Sequence, residues 1–181
     1  MMPNDNKQGV IEIRIRDLAQ LFDSLDPSPF HERDLDQHAE EYIVSWAREF
    51  PTDTPLRIVV YLPGDRAATA DKLGLASALA NHFAYQAEAA RRELKELFRV
   101  GLRYLGVGVP VLLICFGASQ IVRTSFGEGA IQEALGESLL LLGWVANWQP
   151  IETFLYGWLP IKRRRDLYRR LSDAKVDIQG V

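Results

Sequence analysis

The sequence predicts a membrane α-helical hairpin with a small α/β N-terminal domain, a βαβ unit plus a long helix. Three observations lead there. Two apolar stretches, near residues 102–122 and 138–159, are each long enough to cross a hydrocarbon core of roughly 30 Å at about 1.5 Å per helical residue. Ahead of them, a strand-period segment, a helix-period segment and a second apolar strand follow one another. Charge divides the chain as well: residues 1–65 carry 13 acids and 6 bases, and residues 66–181 carry 11 acids and 15 bases.

Residues 1–9 are polar, lack the apolar core of a secretory signal and read as a disordered tail. The α/β domain is expected over residues 10–99. Ile11, Ile13 and Ile15 alternate with Glu12, Arg14 and Arg16, the period of a half-buried strand. Residues 17–22 suggest a short helix. Asp26-Pro27-Ser28-Pro29 is a loop, because two prolines break any repeat. Asp34 is expected to begin a helix, with Gln37 as its capping-box partner. The apolar face of that helix would be Leu35, Ala39, Tyr42, Ile43 and Trp46, and Pro51 and Pro55 would end it. Residues 58–62 are continuously apolar, as in a central strand. Strand, helix and strand in this order suggest a right-handed parallel βαβ unit. Near the C-terminus, Val176 and Ile178 alternate with Lys175, Asp177 and Gln179, which would suit an added edge strand.

A long helix is expected from about Thr69. Ala76, Ala80, Phe83, Ala87, Ala90, Leu94 and Leu97 form a heptad seam. That seam suits docking onto the domain's own strands, or a coiled coil between subunits. Glu88–Arg92 and Arg92–Glu96 lie at helical i,i+4 spacing. Nothing interrupts this helix before Gly101, so it is expected to continue into the first span.

The first span, residues 102–122, holds one charge, Arg103, near its edge. Residues 123–137 form the connecting loop. The second span, residues 138–159, carries Trp144, Tyr156 and Trp158, rings that favour interfaces. An alternative is a half-span ending near Trp148, followed by a surface helix. Residues 160–181 are a basic tail. Arg91, Arg92, Lys95, Arg99 and Arg103 precede the first span, and Lys162, Arg163, Arg164, Arg165, Arg169 and Arg170 follow the second. Between them stand Arg123, Glu128, Glu133 and Glu137. Basic residues stay on the cytoplasmic side, so the N- and C-termini and the α/β domain are expected inside and the loop outside.

Glu152 is the residue most suggestive of chemistry. An acid within a span costs roughly 2.5–3.5 kcal/mol on insertion scales and normally faces protein or water. Pro110 and Pro150 are expected at nearly one level, kinking the helices and freeing the carbonyls of Gly106 and Ala146. Asn147, Gln149 and Glu152 form an intramembrane polar cluster that would either pin two helices together or bind a proton, ion or small ligand. Gly101, Gly106, Gly108 and Gly117 read as close-packing points between helices. The basic run at Lys162, Arg163, Arg164, Arg165, Arg169 and Arg170 would bind anionic lipid headgroups. Membrane position alone accounts for its charge, so no nucleic acid is invoked.

Other residues suggest less. His31, Glu32, Asp34, Asp36, His38, Glu40 and Glu41 form an acidic stretch that capping and a solvated face explain without metal. His82 reads as a packed histidine. Ser77 and Ser119 lack a His/Asp context, and Cys115 within lipid is poorly placed to ionise. No catalytic constellation, metal site or cofactor site is visible.

The segments LDPSPFHERDLDQHAEEYIVSWARE, HFAYQAEAARRELKELFRVG and GWVANWQPIETFLYGWLPIKRRRDLYRRL resemble an uncharacterised family of bacterial two-span inner-membrane proteins. The resemblance runs from about residue 11 to 171 and implies a bacterial inner membrane. It brings no activity and no catalytic residue. The expected function is therefore a non-enzymatic membrane protein whose cytoplasmic α/β module self-associates or recruits a protein partner. The alternative is a small oligomeric channel or transport accessory using Glu152.

Overall fold

The structure is a computed structural model that describes residues 9–23, 33–125 and 129–181. It is mostly helical, with one three-stranded parallel sheet. The chain forms two compact units: Met1–Arg91 together with Arg163–Val181, and Arg92–Lys162. Of the tail expected over residues 1–9, Gly9 instead opens a strand and residues 1–8 lie outside the described residues, as do the loop at Asp26-Pro27-Ser28-Pro29 and His31, Glu32 and Glu128.

In the first unit, β1 (Gly9–Arg14) buries Ile11 and Ile13 and exposes Glu12 and Arg14, as its alternation requires. The expected short helix is a single 3-10 turn, Leu18–Gln20. Its capping box is formed by Asp17 and Gln20. Helix α1 (Gln37–Glu49) begins later than expected. Asp36, not Asp34, is its N-cap, accepting from the His38 and Ala39 amides at 2.9 and 3.4 Å. Asp34 and Leu35 are held extended instead, because the Asp34 carbonyl accepts from Asp23 and Leu35 bridges Phe22. Starting later, the helix buries Ile43, Val44 and Ala47. Tyr42 and Trp46 remain 44% and 42% exposed, off the buried face expected for them.

Strand β2 (Leu56–Leu62) is central: one face buries Leu56, Ile58, Val60 and Leu62, and the other buries Val59 between the half-exposed Arg57 and Tyr61. It pairs in parallel with β1 (Ile11 opposite Ile58) and with β3 (Lys175–Gly180; Ile58 opposite Val176). The C-terminal alternation thus does form an edge strand, tied by an Arg57–Asp177 ion pair. The long helix does not begin at Thr69, which lies inside α2 (Gly64–Lys72). Gly74 adopts φ 77, a left-handed conformation open to glycine at little cost, and separates α2 from α3 (Leu75–Ser125). From Leu75 onward α3 is uninterrupted, through Gly101 and Pro110. Its start buries Leu75, Ala78, Leu79 and Phe83 in the core with Ile11, Ile43, Ile58 and Val60. The docking stripe is therefore offset from the heptad seam, and Ala76 is exposed. Leu167 and Leu171, from the C-terminal stretch, complete this core.

The second unit contains the rest of α3 and then α4 (Ala130–Ala146), α5 (Trp148–Glu152), a π-helical stretch (Thr153–Gly157) and the start of α6 (Trp158–Ser172). Residues 130–137, expected in the connecting loop, are helical. Among the described residues, α3 alone is long and apolar enough to cross a membrane. The second apolar stretch is not the single helix expected over residues 138–159. Proline 150 has no N–H to give the Ala146 carbonyl, and its ring crowds that oxygen. Accordingly α4 ends at Ala146 and the chain restarts at Trp148, with Pro150 in the first turn of α5, where proline is tolerated.

Candidate functional site

The polar level of the second unit is built from an antiparallel helix pair. Gly108 of α3 faces Ala146 and Asn147, Gly143 of α4 faces Leu112 and Cys115, and Gly136 faces Ser119 and Arg123. Farther along, Gly101 faces Thr153 and Phe154. Space for this approach comes from absent side chains. A Cβ on Gly108 would lie 2.7 Å from Asn147 Oδ1, and one on Gly143 would lie 2.8 Å from Leu112 Cδ1. Gly101 and Gly108 are thus close-packing points as expected. Gly106 and Gly117 are not: a Cβ there would meet nothing within 4 Å. In this register Pro110 and Pro150 do not share a level. They stand about five residues apart, roughly 7.5 Å along the axis.

Asn147 is a buried polar side chain that hydrogen-bonds across the interface. Its Nδ2 donates to the Gly108 carbonyl at 2.8 Å and to the Gly143 carbonyl at 3.0 Å. The freed Ala146 carbonyl faces Gly108 close by, where a Cβ would come within 3.1 Å of it. Gln149 and Glu152 do not join Asn147. Both are exposed, whereas Thr153 is buried and donates to the Gln149 carbonyl at 2.9 Å. The expected cluster of three therefore separates into one buried residue and two outward ones. Thr153, which sequence reasoning passed over, faces inward with Asn147.

The basic residues divide in the same way. Lys162 lies 5.3 Å from the Trp158 ring centre, and Arg163, Arg164 and Arg169 are exposed. Arg165 bonds Asp166 at 2.6 and 2.9 Å. Arg170 donates to the Pro51 and Thr54 carbonyls at 2.7 and 2.9 Å, which fastens α6 to the loop before β2.

The first unit holds a buried polar group that the sequence did not reveal. His82, on α3, is 6% exposed. Its Nδ1 accepts from the Leu35 amide at 3.4 Å, with Asp34 Oδ1 at 3.3 Å, and its Nε2 stands 3.2 Å from Glu40 Oε2 on α1. Accepting at Nδ1 places the ring proton on Nε2, which donates to Glu40. The other Glu40 oxygen accepts from the Tyr168 hydroxyl of α6 at 2.9 Å. Tyr168 also stacks on Phe83, with centroids 6.2 Å apart. The bond from His82 holds Glu40 below its ordinary carboxylate range, against burial and with help from Tyr168. Tyr168 is pushed up to about 12, first by burial and then by its bond to Glu40. Both His82 nitrogens are occupied, leaving no lone pair for a substrate. The group is a tie between three helices, and His82 is a packed histidine as expected.

A signal for it was present. Glu40 falls on the stripe of Ile43, Val44 and Ala47, His82 beside Leu79 and Phe83, and Tyr168 between Leu167 and Leu171. Each is a polar residue on its helix's apolar face. Among the described residues, no group of three or more His, Cys, Asp or Glu side chains is arranged to hold a metal ion. Comparisons with models of known protein families, with curated proteins and with solved structures find no match.

Proposed function

We propose that this chain is a non-enzymatic protein of the bacterial inner membrane, crossing it twice with both termini in the cytoplasm. Its α/β module self-associates or recruits a protein partner at that surface. The observation that carries this reading is the apolar surface of the second unit. Leu102, Val107, Leu113, Ile114 and Ile121 on α3, and Ile131, Leu141, Leu142 and Val145 on α4, are each at least 60% exposed. Apolar surface of that extent needs a cover, and hydrocarbon provides one on all sides. The sheet supports an even number of passes, because β2, before α3, hydrogen-bonds β3, after α6. The break at Asn147 is compatible with lipid, since its side chain donates to the Gly108 carbonyl across the interface and to the Gly143 carbonyl of its own arm. Exposed Lys162, Arg163 and Arg164, the first of them over the Trp158 ring, suit anionic headgroups, at about 1 kcal/mol per basic side chain near the surface. Alkaline washing of membranes tests the anchoring: the protein should remain in the pellet until detergent is added. Release into the wash would sink the proposal.

A second reading rests on Glu152, which is exposed and adjoins a π-helical stretch, a deviation frequent at functional sites. In lipid it would need partners from further copies, forming a small channel or transport accessory. Glu152→Gln should then abolish ion or proton flux into liposomes, and absence of flux in the unaltered protein ends this reading.

A further inference from the structure

We infer that β1 is the edge at which two copies of this chain join, antiparallel, with Glu12 of each copy opposite Arg14 of the other. This rests on the reading of the module as self-associating and names the surface and the register. Gly9 and Ile15 donate their amides to the Pro55 and Tyr61 carbonyls, so the odd-numbered residues of this segment turn their backbone groups toward β2. By the strand's period of two, Val10, Glu12 and Arg14 turn theirs outward. Among the described residues no strand lies beyond β1. The Tyr42 hydroxyl sits on the outward Glu12 carbonyl at 3.3 Å. A cleft of about 820 Å³ runs along this edge, lined by Val10, Glu12 and Arg14 and by Tyr42 and Trp46 of α1. A free strand edge is a template for another strand unless it is blocked.

Charge identifies the occupant as a second copy. Glu12 and Arg14 are exposed and lie two residues apart on one face of the strand. Antiparallel self-pairing centred on Ile13 sets Glu12 against Arg14 twice, at hydrogen-bonded positions about 5.5 Å apart. Sliding the register by two residues sets Glu12 against Glu12 instead. A two-fold axis closes such a pair, because each copy uses its β1 edge once and the joint offers no second β1 edge. With that axis perpendicular to the sheet, both α1 helices lie on the same face. The half-exposed Tyr42 and Trp46 of each copy then flank the joint. The incoming Arg14 amide takes over the Glu12 carbonyl from Tyr42, so that oxygen exchanges one donor for another.

The test uses the full chain in detergent micelles at micromolar concentration, with the intact mass measured. A dimer is expected. Glu12→Arg or Arg14→Glu alone should weaken it about tenfold or more, since each converts two attractive pairs into repulsive ones. The double swap should restore it, which separates loss of pairing from loss of folding. In a Cys115→Ser background, mixing chains carrying Glu12→Cys with chains carrying Arg14→Cys should give more disulfide-linked dimer than either alone. A monomer, a dimer indifferent to the single reversals, or equal cross-linking in all three samples overturns the inference. A monomer that still resists alkaline washing overturns it without touching the anchoring.

Discussion

Among single residues, the tie between Glu40, His82 and Tyr168 has the clearest consequences. Glu40→Ala removes a charged partner from a buried imidazole and should cost about 2 kcal/mol. The pH window follows from the directions of the shifts. Glu40 is held below its ordinary 4.5, so its contribution is present above that pH and is lost as pH falls through the folded value. Tyr168 is raised from 10.0 to about 12, so its contribution is complete below pH 10 and is lost as pH climbs toward 12. Thermal melts across pH should therefore fall away on both sides. Glu40→Gln should flatten the acid limb and Tyr168→Phe the alkaline one. Unchanged limbs would remove these residues from the account. The tie was not legible in the sequence because its members come from three distant helices. Only the polar breaks in three apolar stripes hinted at it, and at Tyr168 the basic run drew the reading toward lipid.

Secondary-structure elements were easier to read than their ends. The alternation at Ile11, Ile13 and Ile15, the run at residues 58–62 and the pair Val176 and Ile178 each became strands of one sheet, with the β1–α1–β2 order intact. Helix starts slipped where a local bond outcompeted the expected cap, as at Asp34. The glycines show the limit most plainly. Spacing marked four on α3, yet only Gly101 and Gly108 face the second arm, at Thr153–Phe154 and at Ala146–Asn147, and the pair also needs Gly136 and Gly143 from that arm. Which face of a helix meets its neighbour is set by register, and a lone helix sequence does not carry that. Gly108→Val and Gly143→Val should accordingly lower the melting temperature in detergent well below that of Gly106→Val and Gly117→Val, since only the first two insert a methyl under 3 Å from a neighbour. Equal effects would contradict the register. Asn147→Leu should cost about 1 kcal/mol, the scale of a side-chain hydrogen bond between membrane helices.

For the whole molecule, the chain closes on itself. The six-residue strand Lys175–Gly180 pairs with β2, and Leu167 and Leu171 fill a core that the first part of the chain leaves incomplete. Deleting residues 174–181 should therefore destabilise the α/β module and expose Val59 and Val60 to proteolysis, although β3 itself is only partly buried. That closure requires the two ends of the chain to share one side of any membrane. Reporter fusions at Gly129 and at Val181 test it directly. The account predicts opposite sides, with Val181 in the cytoplasm; both reporters on the same side would contradict two passes.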